Sequence, residues 1–134
     1  MRFGAYGKIY RTSNGGNTWV REFHEEFLSE YDLEFVQELK ASSQEEYEAE
    51  MSAILPHFNR VRADKNGKLI LAGEAGLLAI SDNFGKTWKR YDEFYQGSLF
   101  DVVAADSYIL AVGLRGNVFR SNDDGISWQR IETV

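Results

Sequence analysis

Two kinds of hydrophobic periodicity divide the chain. From residue 58 onward, apolar positions come in short blocks: Leu69-Ile70-Leu71-Ala72, Leu77-Leu78-Ala79-Ile80 and Tyr108-Ile109-Leu110-Ala111-Val112, with Val118-Phe119 in the strand-like run Asn117-Val118-Phe119-Arg120. Blocks of this length, separated by turn signals such as Asp64-Lys65-Asn66-Gly67 and Asp106-Ser107, predict β-strands, some buried on both faces. Residues 24–57 read differently. Leu28, Tyr31, Phe35 and Leu39 recur at helical spacing, as do Tyr47, Met51, Ile54 and Leu55. That predicts two helices with these residues on the packed face. Ser43 with Glu46 predicts a capping box opening the second helix and Pro56 its end, with Ala41-Ser42 as the connecting turn.

The strand regions contain a repeat. Segments 4–23, 73–92 and 113–132 align without gaps, each opening with Gly-x-x-Gly: Gly4 and Gly7, Gly73 and Gly76, Gly113 and Gly116. A strand-like run follows, then an eight-residue turn. The turns read Thr12-Ser13-Asn14-Gly15-Gly16-Asn17-Thr18-Trp19, Ser81-Asp82-Asn83-Phe84-Gly85-Lys86-Thr87-Trp88 and Ser121-Asn122-Asp123-Asp124-Gly125-Ile126-Ser127-Trp128. The third position (Asn14, Asn83, Asp123) can accept hydrogen bonds from nearby backbone amides, and the fifth (Gly16, Gly85, Gly125) can take a positive φ. The closing indoles are expected to be mostly buried between sheets. Upstream, residues 58–64 align with 100–106, so each of the last two repeats carries four strands.

These residues resemble the Asp-box, or BNR, repeat, Ser-x-Asp-x-Gly-x-Thr-Trp. The third copy departs from it only at Ser127, the second at Asn83, the first at Thr12 and Asn14. The resemblance implies an all-β fold: a partial β-propeller of about two and a half four-stranded antiparallel blades, with an inserted acidic α-helical hairpin. The expected division is a half blade at 1–23, the helical insertion at 24–57, and blades at 58–95 and 96–134. Trp88 and Trp128 lie 40 residues apart, close to the ~40–45 of a propeller repeat. In the family the box is a structural turn. Thr12, Asn14, Gly16, Trp19, Ser81, Asn83, Gly85, Trp88, Ser121, Asp123, Gly125 and Trp128 are therefore expected to be structural. A ring of this type usually needs ~4–8 blades, so the expectation is a segment of a longer chain or a homo-oligomer that completes a ring.

Charge sharpens the reading. The 134 residues carry a net charge of −6, but residues 22–51 hold eleven acids and one base, Lys40, for a net −10, leaving +4 elsewhere. An acidic total argues against nucleic acid, and the acidic helices are expected to face a basic protein partner. Folding of the helices against Arg60, Arg62 and Arg115 is the alternative. No apolar run is long enough to span a membrane, and no basic start precedes an apolar stretch. The compartment is left open, cytoplasmic by default. There is no cysteine, hence no disulfide or thiolate site.

Candidate chemistry is sparse. His24 and His57 are the two histidines and lack a third ligand, so no metal and no cofactor is expected. No phosphate loop or nucleophile elbow occurs. The repeat also resembles photosystem II stability/assembly factor-like propellers, which implies a non-enzymatic protein-binding scaffold, and sialidase-like propellers, which implies a glycoside hydrolase or glycan-binding fragment as the alternative. The sialidase resemblance implies an arginine triad, and none is assignable: Arg21, Arg90 and Arg130 each follow a box and should lie on outer strands. No catalytic residue is assigned. The Gly-x-x-Gly turns should lie on the same face as the crossover to the next blade. Their variable positions make Tyr6, Glu74 and Arg115 the binding candidates.

Overall fold

The structure, a computed structural model, describes residues 1–4 and 7–132. It is mostly β, with three antiparallel sheets and two helices. The chain forms two compact units, Met1–His57 and Phe58–Val134.

In the first unit, β1 (Arg2–Phe3), β2 (Ile9–Arg11) and β3 (Val20–Glu22) form a three-stranded sheet in that order. Helices α1 (Glu30–Ser42) and α2 (Gln44–Ile54) follow. Ser29 caps α1, its Oγ accepting from the Asp32 amide at 3.3 Å. Ser43 both ends α1 and opens α2. Its amide donates to the Leu39 carbonyl at 2.7 Å, and its Oγ accepts from the Glu46 amide at 3.2 Å. Only half of the expected capping box can therefore form, because the amide that Glu46 would have accepted from is already used. Ala41 and Ser42 belong to α1 and not to a turn. Leu55 is extended at ψ 136 before Pro56, as clash with the proline ring demands.

The packed face of α2 is the expected one: Tyr47, Met51 and Leu55 are buried. That of α1 is not. Val36 is fully buried with Leu33 half-buried beside it on the helix, while Tyr31 is 82% and Phe35 46% exposed. Two apolar stripes compete on α1, and the aliphatic one, Leu33 with Val36, is packed. Tyr47 donates from its hydroxyl to Glu25 Oε1 at 2.6 Å. Burial, reinforced by that bond, pushes the phenol above its ordinary pKa.

In the second unit, β4 (Phe58–Ala63), β5 (Leu69–Gly73), β6 (Leu78–Ser81) and β7 (Lys89–Arg90) form one meander. A second contains β8 (Leu99–Ala104), β9 (Ile109–Gly113), β10 (Val118–Ser121) and β11 (Gln129–Ile131). The core between them takes Ile70, Ala72 and Leu78 from the first sheet and Leu99, Val102, Ile109, Ala111 and Phe119 from the second. Period-2 alternation explains the selection: these side chains lie on the facing surfaces.

Register corrects the upstream alignment by one residue. Phe58 lies opposite Gly73 and Leu99 opposite Gly113, with a bulge following each. Phe58 is thus equivalent to Leu99, not to Phe100. The β4–β5 connection (64–68) is one residue longer than the β8–β9 connection (105–108), and a gapless alignment absorbs that difference in the wrong place.

Candidate binding surface

The box turns share one hydrogen-bond plan. In the second, the Ser81 hydroxyl accepts from the Gly85 amide at 2.8 Å, and Asn83 Oδ1 accepts from the Thr87 amide at 2.9 Å and the Ser81 hydroxyl at 2.9 Å. The first repeats this with Thr12, Asn14, Gly16 and Thr18, the third with Ser121, Asp123, Gly125 and Ser127. The third position sets the direction of one bond. Asn83 Nδ2 donates to Thr87 Oγ1 at 2.7 Å, as Asn14 does to Thr18, whereas the Ser127 hydroxyl donates to the Asp123 carboxylate. An amide and a carboxylate thus close the same loop because the hydroxyl partner can rotate. Bonds from Ser127 and Ser121 hold the Asp123 carboxyl well below the usual range, at about 2.

Two further box features escaped the sequence reading. The fourth position is left-handed as well as the fifth: Phe84 has φ 59 and Asp124 φ 60. And the indoles are not equally buried. Trp88 is 5% exposed and Trp128 partly buried, but Trp19 is 37% exposed, which corrects the expectation of burial for all three. Trp19 and Trp128 each donate from Nε1 to the carbonyl of their own box glycine, Gly16 and Gly125, at 3.1 Å. Arg2 stacks on the Trp19 ring at 5.0 Å, while Trp128 stacks against Phe94 with centroids 4.3 Å apart. The missing signal was Phe94: a crossover aromatic, outside the repeat, covers the third indole.

The binding candidates fall on the Gly-x-x-Gly turns. Tyr6 lies outside the described residues. Glu74 is half-buried and Arg115 exposed. Arg115 has φ 62 and ψ 30, followed by Gly116 at φ 74; Ala75 (φ 56) and Gly76 (φ 74) match. Paired left-handed residues make a type I′ hairpin turn. The second glycine of each motif, not the first, is the left-handed one, since Gly113 is extended at φ −121.

The crossover 91–98 ties the two turns together. Gly76 donates to the Gly97 carbonyl at 2.8 Å, Leu114 to the Ser98 carbonyl at 3.0 Å, and Asn117 Nδ2 to the Tyr95 hydroxyl at 3.2 Å. A Cβ on Gly76 would sit 1.9 Å from the Tyr95 carbonyl oxygen, so the motif needs glycine there for contact as well as for φ. Turn and crossover therefore share one face of this unit.

On the inner strands, Arg62 grips Asp101 with both Nε and Nη2, at 2.8 and 2.9 Å, and Arg60 Nε lies 3.4 Å from the same carboxylate. Arg62 holds the Asp101 carboxyl below its ordinary pKa. These arginines are engaged within their own unit. Arg21, Arg90 and Arg130 lie on the edge strands β3, β7 and β11. His24 is buried, its Nδ1 3.4 Å from Glu26 Oε2. Among the described residues no cluster of three or more acids or histidines could hold a metal ion, and no helix is long and apolar enough to cross a membrane.

A cleft of about 610 Å³ opens in the second unit, lined by Asp64, Asp106, Asp123 and Asp124 among others. Asp64 accepts from the amides of Asn66 and Lys68, and Asp106 pairs with Lys65 at 2.8 Å. With Asp123 committed to its box, three of the four carboxylates are already engaged.

Repeat and fold define the class: the chain carries the BNR/Asp-box repeat on a β-propeller-type fold. The BNR/Asp-box repeat profile matches residues 79–90, which cover the second box. No curated protein matches. Among solved structures the chain is similar to "YCF48 bound to D1 peptide", with 18% sequence identity and a TM-score of 0.61. The match covers 96% of this chain and 35% of that one, so the chain spans about a third of that protein's length. At this identity the likeness is one of fold.

Proposed function

We propose that the chain is a non-enzymatic β-propeller binding scaffold for a protein partner, assembly factor-like in role. The observation that carries this is the overlay of 96% of the chain on the structure of YCF48 bound to D1 peptide. In this reading residues 58–95 and 96–134 are whole blades, 1–23 is half of one, and 24–57 is an inserted helical hairpin. Repeat equivalence supports the blade reading. Ile70, Ala72 and Leu78 are covered by the second sheet, while their counterparts Leu110, Val112 and Val118 are half-buried or exposed. A further blade would pack there, from a longer chain or from another copy.

The partner is proposed to be basic. Glu30, Glu34, Glu38, Glu45, Glu46 and Glu48 are all exposed on α1 and α2. A sialidase-like activity is less favoured: that resemblance implies an arginine triad, and Arg21, Arg90 and Arg130 lie on three separate edge strands. The test is twofold. Peptide arrays should show binding to basic sequences that weakens steeply with salt, and replacing the exposed Glu30, Glu34, Glu38, Glu45, Glu46 and Glu48 by glutamine should abolish it with circular dichroism unchanged. Release of 4-methylumbelliferone from its sialoside by the purified chain would overturn the reading.

A further inference from the structure

The two aromatics that sequence periodicity assigned to the packed face of α1 lie instead in solvent. Tyr31 is 82% and Phe35 46% exposed. At i and i+4 they stand one above the other on the helix surface, a two-turn apolar ridge. Glu30, Glu34 and Glu38, also four apart and all exposed, run beside it. The helix carries this arrangement at a cost: like charges four residues apart disfavour a helix, and α1 has one base, Lys40, set against Glu25 at 4.0 Å and over the Tyr47 ring at 5.1 Å. Val36 packs inward, so the helix is held in place without help from the aromatics.

We infer that the Tyr31–Phe35 ridge with the Glu30–Glu34–Glu38 row is a docking surface for a basic, amphipathic segment of a protein partner. This rests on the scaffold reading and names the surface within the acidic helices that does the binding. The complement of an apolar ridge beside an acidic row is an apolar stripe beside lysines or arginines at matching spacing. Aromatic anchors supply most of the affinity in such contacts, and the charges set approach and specificity. An anionic lipid surface is disfavoured by the same acids, and a second copy of the chain would bring like charge against like.

The probe is a synthetic helical peptide with leucines on one face and lysines flanking them, titrated into the full chain by calorimetry at low and physiological salt. Its Leu/Glu counterpart and a scrambled Leu/Lys peptide serve as controls. The Leu/Lys peptide should bind, shift the ring resonances of Tyr31 and Phe35, and outcompete both controls. Tyr31→Ser with Phe35→Ser should weaken it at least about tenfold, the loss expected when hot-spot aromatics are removed. Both positions are exposed, so circular dichroism should be unchanged. Glu34→Gln with Glu38→Gln should flatten the salt dependence. If the serine variant binds as the parent does while the glutamine variant weakens, the acidic scaffold reading stands and the aromatic docking surface falls. If the scrambled peptide binds equally well, or if phosphatidylcholine vesicles quench the Tyr31 signal, the inference is overturned.

Discussion

The first box turn and the last two close the same loop with the same backbone-amide hydrogen bonds, yet they sit in different surroundings. Ser81 and Ser121 are buried at 1% and 0% exposure, while Thr12 is half-buried; Trp88 is 5% exposed and Trp19 37%. The glycines differ in the same way. Gly16 and Gly125 share a positive φ, 94 and 88. A Cβ on Gly16 would meet nothing nearer than the Trp19 ring at 3.7 Å, whereas one on Gly125 would sit 2.1 Å from the Tyr91 ring. A local motif can thus be the same in geometry and unequal in what its loss costs.

The widest gap should appear at the indoles. Trp88→Ala is expected to destabilise by roughly 3–5 kcal/mol, the range for large aromatics removed from a core. Trp19→Ala should cost well under half of that, both followed by urea denaturation. Equal losses would show that exposure is a poor guide here.

Next come the glycines. Gly125→Ala should cost about 2–4 kcal/mol, combining left-handed strain with displacement of the Tyr91 ring. Gly16→Ala should cost only the strain, about 1–2 kcal/mol. Tyr91→Leu in the Gly125→Ala background should recover part of the difference.

Smaller again is the hydroxyl. Ser121→Ala leaves the Gly125 amide without its acceptor in a buried setting, for about 1–3 kcal/mol, and Thr12→Ala should fall near or below the lower end because water can replace the bond. Thermal melts of the two variants give the ranking directly.

The smallest effect separates the third box by its chemistry. Asp123 titrates at about 2 in the folded chain, against about 3.9 when unfolded. A depressed carboxyl contributes stability that is present above the unfolded value and lost as pH falls through the folded one. The contribution should therefore fade between about pH 4 and pH 2. Asn14 and Asn83 cannot titrate. Asp123→Asn should remove that part of the acid dependence and leave the turn closed, because an amide in this position donates to its hydroxyl partner as Asn83 does to Thr87. An unchanged acid limb in the variant would count against Asp123 as its source.

Much of this protein was legible in the amino-acid order, wherever the determinant is local. Strand blocks, box spacing and the end of α2 at Pro56 depend on φ preferences, side-chain period and hydrogen bonds that reach four residues or fewer. The left-handed fourth box position was hidden at Phe84, since a bulky aromatic rarely takes a positive φ. Tertiary structure alone decided the rest. α1 offers two apolar stripes, and which one packs depends on the surface it meets. The burial of Trp128 depends on Phe94, an aromatic supplied by the crossover from outside the repeat. The pairing of Arg60 and Arg62 with Asp101 joins residues about 40 positions apart, and only adjacent inner strands bring them together. Periodicity states which side chains can share a face; it does not state what that face will meet.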